Sequence, residues 1–296
     1  MSKEKIYLIL GFGVLCLSSS SILVKQLESR SVPLLGVACY RMVFAALLLG
    51  VPALIWQRKE LVRLDRIQLL SIIASSIFLA LHFGSWTVSL QYIPVARSVL
   101  LVTSHPIFTV LASRVFLGER FSSRTLAGVL FAFAGILVIL YESIGAMQGP
   151  NLSLWGDILA LTGAVTIVGY LIIGKRLRAE ISLLSYTSTL YTSCALLLLP
   201  GALALGAWPQ MLGSNDYLLL FALALVPTIG GHTVFNLLLK DVSATLISVA
   251  FLGEPLGASL LAWLLLDQLP TTYTIAGGVL VLMGIYLVQA QPNRPR

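Results

Sequence analysis

Ten stretches of about twenty mostly apolar residues follow one another along this chain, at 6–24, 33–56, 67–90, 94–117, 124–141, 154–174, 183–205, 217–239, 243–266 and 272–290. One such stretch is what a helix needs to cross a hydrocarbon core. Lipid offers no partner to a bare peptide group, so only helices or a closed barrel can span it. Runs this long, without period-two alternation, exclude the barrel. The expected fold is therefore all-α and integral to the membrane, with ten transmembrane helices. Charged residues are 10% of the 296, against roughly 25% in soluble domains, and the mean hydropathy is +0.95. The spans leave no room for a soluble domain.

The ends and cysteines add little. Lys3 and Lys5 before an apolar run resemble a signal peptide, but no small-residue cleavage site follows, so the run reads as the first span. Cys16, Cys39 and Cys194 all fall within spans, which argues against a disulfide framework.

Basic residues set the orientation. With the N-terminus inside, the inner segments hold 15 of the 19 Lys and Arg, from Lys3 and Lys5 through Arg58–Arg66 to Arg294 and Arg296, while the outer loops hold Lys25, Arg30 and Arg97. Both termini are expected in the cytoplasm. The net charge of +7 is then a topology signal and not a nucleic-acid footprint.

The chain also repeats itself. At an offset of 149, Pro106 falls on Pro255, Leu117 on Leu266, Glu119 on Gln268, Ala127 on Ala276, Gly128 on Gly277 and Gly135 on Gly284; at an offset of 150, Lys25 falls on Lys175 and His82 on His232. Two five-helix units are expected, 1–148 and 149–296, joined near Gly149–Pro150. Five is odd, so the second unit enters the membrane inverted. Inverted repeats are the mark of alternating-access carriers, whose sites lie at the midplane between the halves.

Pro106, then Leu117-Gly118-Glu119, then a span carrying Gly128 and Gly135, resemble the EamA-type repeat of ten-helix members of the drug/metabolite transporter superfamily. The second copy departs from it, with Leu266-Asp267-Gln268 in place of Gly-Glu. The resemblance covers essentially the whole chain. It implies a cavity lined mainly by helices 1, 3, 4, 6, 8 and 9, export of small metabolites such as amino acids, and residence in a bacterial cytoplasmic (inner) membrane as a multi-pass protein.

Polar groups at midplane depth are costly, and each calls for a reason. Glu254 is the one acid near the middle of a span, and His105 occupies the repeat-related position; each directly precedes a proline. They read either as a pair fixing the halves or as groups that carry substrate and proton, since a carboxyl and an imidazole can both exchange one. His82 and Trp86 are four apart on the third span, and His232 and Asn236 are four apart at the matching place on the eighth. Each pair shares a helical face, so the four read as walls of one cavity or as packing residues. Tyr170, Thr103 and Ser104 are weaker cavity candidates. Arg41, inside the second span, could bind a carboxylate, but the resemblance makes that helix peripheral, so it reads better as snorkelling or as half of a structural pair. Arg97 lies at the outer mouth, near substrate carboxylates or headgroups. The serines at 18–21 suit close helix packing, as do Gly128, Ala132, Gly135, Gly277 and Gly284.

No His-Glu-x-x-His, Gly-x-Ser-x-Gly or Walker sequence is present, and all five aspartates sit in loops or at helix ends. This argues against an enzyme, a metal centre, a cofactor and ATP-driven transport. The expected function is a secondary transporter exporting a small metabolite, an amino acid or related zwitterion, by alternating access, with a small-molecule substrate and the bilayer as partners and a homodimer left open. The expected site is His82, Trp86, His105, Tyr170, His232, Asn236 and Glu254, with Glu254 and His105 coupling protons. A sugar-phosphate or nucleotide-sugar exchanger is the alternative, though it needs several midplane cations. A non-transporting structural or regulatory membrane protein is the alternative of another class.

Overall fold

The computed structural model describes all residues except 94, 140, 142–153, 209–211, 267–268, 270 and 290–296. The junction near Gly149–Pro150, the start of the fourth span at Pro94, Asp267 and Gln268, and Arg294 and Arg296 lie outside the described residues. Those described form helices and connecting turns, with no strand among them.

In chain order the helices are α1 (Lys3–Ser29), α2 (Leu34–Trp56), α3 (Arg58–Arg63), α4 (Arg66–Ser89), α5 (Val95–Val102), α6 (His105–Phe116), α7 (Ser123–Ile139), α8 (Leu154–Leu177) and α9 (Leu183–Ala204). After them come α10 (Ser214–Leu223), a π-helical segment (Ala224–Thr233), α11 (Val234–Leu238), α12 (Ala244–Phe251), α13 (Glu254–Leu266) and α14 (Thr272–Gln289). Eight of the described helical stretches are long and apolar enough to cross a membrane, and two shorter apolar helices, Ser123–Val138 and Thr272–Val288, accompany them. Large apolar side chains such as Leu8, Trp56, Leu130 and Leu264 stand exposed on the outside of the bundle, as a lipid-solvated protein requires.

Two of the expected spans are not continuous. The fourth breaks between α5 and α6 at Thr103–Ser104, and the ninth between α12 and α13 at Leu252–Gly253. Single tight turns carry each break: the Ser104 N–H donates to Leu101 O at 3.2 Å, and the Gly253 N–H to Ala250 O at 3.0 Å. Pro106 and Pro255 then occupy the first turn of the following helix, where a missing N–H costs nothing. They start helices here and do not bend them. The Leu117-Gly118-Glu119 stretch stops α6: Gly118 takes φ +66°, a conformation glycine adopts freely, and the Glu119 N–H reaches back to Ser113 O at 3.2 Å.

The helices pack as α4 on α8, α1 on the π-helical segment, α2 on α9, α7 on α14, and α6 on α12. The α7–α14 contact is the small-residue seam that the glycine spacing predicts. A Cβ on Gly135 would stand 2.5 Å from Gly277 O, and one on Gly284 would stand 2.5 Å from Gly128 O. Backbone lies directly on backbone there, and only glycine fits.

Polar side chains tie both ends of the bundle. At the end where α1 finishes and α8 begins, Arg97 and Asp157 form a two-pronged pair at 2.6 and 2.7 Å, and Arg30 meets Asp216 at 3.2 Å. Arg97 therefore has a partner from α8 and is not left for headgroups. At the opposite end the Glu60 carboxylate accepts from the Ser182 N–H at 2.9 Å and from the Ser182 and Ser185 hydroxyls. Burial pushes that carboxyl up, but these hydrogen bonds outweigh it and hold it below the usual carboxylate range. Lys175 Nζ donates to Leu239 O at 2.7 Å and Val242 O at 2.9 Å, and Arg178 donates to Asn236 O and Ile181 O. Cations thus satisfy carbonyls that helix ends leave open.

Candidate substrate cavity

The two helix breaks face the same interior space. It is a cavity of about 40 Å³ lined by Leu17, Ser20, Arg41, His82, Phe83, Trp86, Val99, Val102, Thr103, His105, Ile167, His232, Phe251 and Glu254. The lining residues of α4 sit in its last two turns and Arg41 in the second turn of α2, so the cavity lies toward the end sealed by Arg97–Asp157. About three water molecules would fill this volume at one probe sphere each. The space is too small for a metabolite unless the walls part.

Five of the seven expected site residues meet here: His82, Trp86, His105, His232 and Glu254. The His82 and Trp86 rings stack 6.5 Å apart, and His82 faces His232 at 6.5 Å, so the matching faces of the third and eighth spans do converge. Tyr170 and Asn236 do not line the cavity. The Asn236 amide N–H donates to the Tyr170 hydroxyl at 2.6 Å and to His232 O at 2.9 Å behind the wall, while its Oδ1 is buried without a partner. Tyr170 still packs on His232, ring to ring at 6.4 Å.

His105 and Glu254 share the cavity but form no ion pair. His105 Nδ1 instead makes a 2.6 Å hydrogen bond with Ser248 Oγ, which also meets Thr109 Oγ1 at 2.9 Å. Each residue is the first of its half-helix. Helix N-termini favour negative charge, which suits Glu254.

Arg41 departs most from expectation. It does not snorkel: it is 2% exposed, and its guanidinium lies 4.2 Å from the Phe83 ring centre. Its Nε donates to Thr228 Oγ1 at 2.6 Å and its Nη1 to Ser20 Oγ at 3.3 Å. A desolvated cation–π contact is worth about 2 kcal/mol, and with the hydrogen bonds it offsets the cost of a guanidinium at this depth. Thr228 belongs to the π-helical segment and donates to Leu223 O, five residues back, at 3.0 Å. Pro227 interrupts the α pattern at that point, and π turns of this kind recur at functional sites. The sequence marks Arg41 as the one cation well inside a span but not the face it takes.

Comparison with known proteins agrees with this architecture. The sequence matches the EamA-like transporter family over residues 5–141 and again over 154–290. An uncharacterized transporter of Archaeoglobus fulgidus is 24% identical over 98% of this chain and 99% of its own length. A protein of Escherichia coli K12 named a probable amino-acid metabolite efflux pump is 26% identical over 71% of this chain and 70% of its own. A solved structure superposes with a TM-score of 0.79 at 19% identity, covering 97% of both chains, and so shares the fold. Two matched segments that together take in nearly the whole length leave one assignment: this multi-pass membrane chain belongs to the EamA-like transporter family.

Proposed function

We propose that this protein is a secondary transporter that exports a small zwitterionic or amphipathic metabolite, an amino acid or a close relative, by alternating access. In this reading it resides in a bacterial cytoplasmic membrane with both termini inside, as two inverted five-helix units, 1–148 and 149–296. The two separate family matches support the units. So does the packing, in which α4 on α8 and α1 on the π-helical segment change places when the halves are exchanged.

One observation carries the proposal: helices broken at repeat-related positions present His105 and Glu254, one from each half, to a single small cavity. Glu254 is the one acid among its lining residues and Arg41 the one cation. A single cation suits a zwitterion and not a sugar phosphate, which carries two or more negative charges. The name borne by the relative from Escherichia coli supports the same substrate class.

Glu254 is assigned the exchange of a proton for the substrate amine as the halves rock. Glu254→Gln in proteoliposomes is expected to lose gradient-driven accumulation of a labelled amino acid at least tenfold, while counterflow at equal pH persists. Undiminished accumulation by the variant under an imposed pH difference removes the proton role.

A further inference from the structure

The wall that holds Arg41 carries hydrogen-bond donors with nothing to bond. Two arms of the guanidinium are occupied, by Thr228 and Ser20, but Arg41 Nη2 is buried without a partner, and so is the indole Nε1 of Trp86. Both side chains line the cavity and are at least nine-tenths buried, at 2% and 6% exposure. Guanidinium and indole nitrogens can only donate, so neither group can satisfy the other, and both wait for an acceptor. Buried polar groups left like this are rare and call for an explanation. His232 Nδ1 is also without a partner; its ring lies 5.1 Å from that of Phe83, and the Arg41 guanidinium 4.2 Å from the same ring. Among the described residues no ion pair links Arg41 to Glu254, so the cavity holds one charge of each sign, and each is open to an incoming group.

We infer that Arg41 Nη2 and Trp86 Nε1 form the subsite for the substrate's carboxylate, and that a free carboxylate is a condition of recognition. The inference rests on the reading of this cavity as the substrate site. A guanidinium arm and an indole N–H lining the same cavity suit the two oxygens of a carboxylate. A carboxamide keeps one acceptor oxygen and lacks the charge, so it leaves the buried cation without a counter-charge. The amine end of the same molecule then falls to Glu254. A zwitterion would close both vacancies at once and leave the cavity neutral.

The test is binding in detergent, separate from transport. Thermal unfolding of the purified full chain is followed against the common L-amino acids and their primary amides at equal ionic strength and pH. At least one acid should protect the protein at a concentration tenfold or more below that of its amide. Arg41→Gln should erase that difference, and Trp86→Phe should narrow it several-fold while keeping the ring. Equal protection by acids and amides, protection by no acid, or a difference that survives Arg41→Gln overturns the subsite. If Arg41→Gln does not fold, an unchanged difference in Trp86→Phe overturns it. A chain that discriminates in detergent yet moves nothing in vesicles refutes the transport reading and leaves the subsite standing.

Discussion

Gly135→Leu is expected to leave almost no folded protein. On α7 a Cβ at this position would lie 2.5 Å from Gly277 O and 2.8 Å from Val281 N on α14. Both are backbone atoms and cannot turn aside as a side-chain tip can. Overpacking a close interface costs about 1–3 kcal/mol when the neighbours can give way, and here they cannot without separating the helices. The measure is the monodisperse fraction in mild detergent and its unfolding temperature. Gly50→Ala is the control: nothing lies within 4 Å of its Cβ position, and alanine improves a helix interior by about 0.5–1 kcal/mol. If Gly135→Leu matches that control in yield and unfolding temperature, the seam is not where α7 and α14 meet.

His82 and His232 occupy repeat-related positions but should respond differently to phenylalanine, which keeps a ring and removes the nitrogens. His82 Nδ1 is bonded at 2.9 Å to Gly163 O on α8, so it braces α4 against α8. His82→Phe should cost about 1–3 kcal/mol of stability, the scale of a buried hydrogen bond whose partner is left behind. His232 Nδ1 has no partner, and the ring is already held among Phe83, Phe251 and Tyr170. His232→Phe should unfold at the wild-type temperature and lower amino-acid counterflow at least tenfold, equivalent to about 1.4 kcal/mol. The reverse pattern, in which His232→Phe destabilises and His82→Phe abolishes counterflow, would exchange the two roles.

These contrasts show where the sequence is informative and where it falls silent. Apolar length placed the long helices within a few residues: the first span, read as 6–24, is helical over Lys3–Ser29, and the third, read as 67–90, over Arg66–Ser89. Glycine spacing located the α7–α14 contact, because a close approach needs small residues in a fixed register. Pro106 and Pro255 mark the right places, but a proline in sequence does not say whether the chain before it has already stopped. The π-helical segment was invisible: its signature is a shift of hydrogen-bond partner, as in Thr228 to Leu223 O, and Pro227 alone does not specify it. Histidines and the lone midplane acid stand out by their rarity in lipid, and all four converge, with Trp86 beside them. Which face of its helix Arg41 shows, and that Asn236 spends its amide on Tyr170, depend on partners nearly 190 and 70 residues away in sequence, beyond the reach of local periodicity.

The Glu60 tie has a kinetic consequence. Its carboxylate, beside α2, holds Ser182 and Ser185 at the start of α9, across the mouth opposite the cavity. Under the rocking mechanism proposed above, those bonds must be broken each time that mouth opens and remade each time it shuts. They therefore belong to the activation barrier of the empty carrier's return, a step that substrate affinity does not touch. Water replaces such bonds readily at a solvated mouth, so the latch is shallow. Under that mechanism the rate of the empty return would depend on a glutamate and two serines far from the cavity, and not only on the residues that hold the cargo.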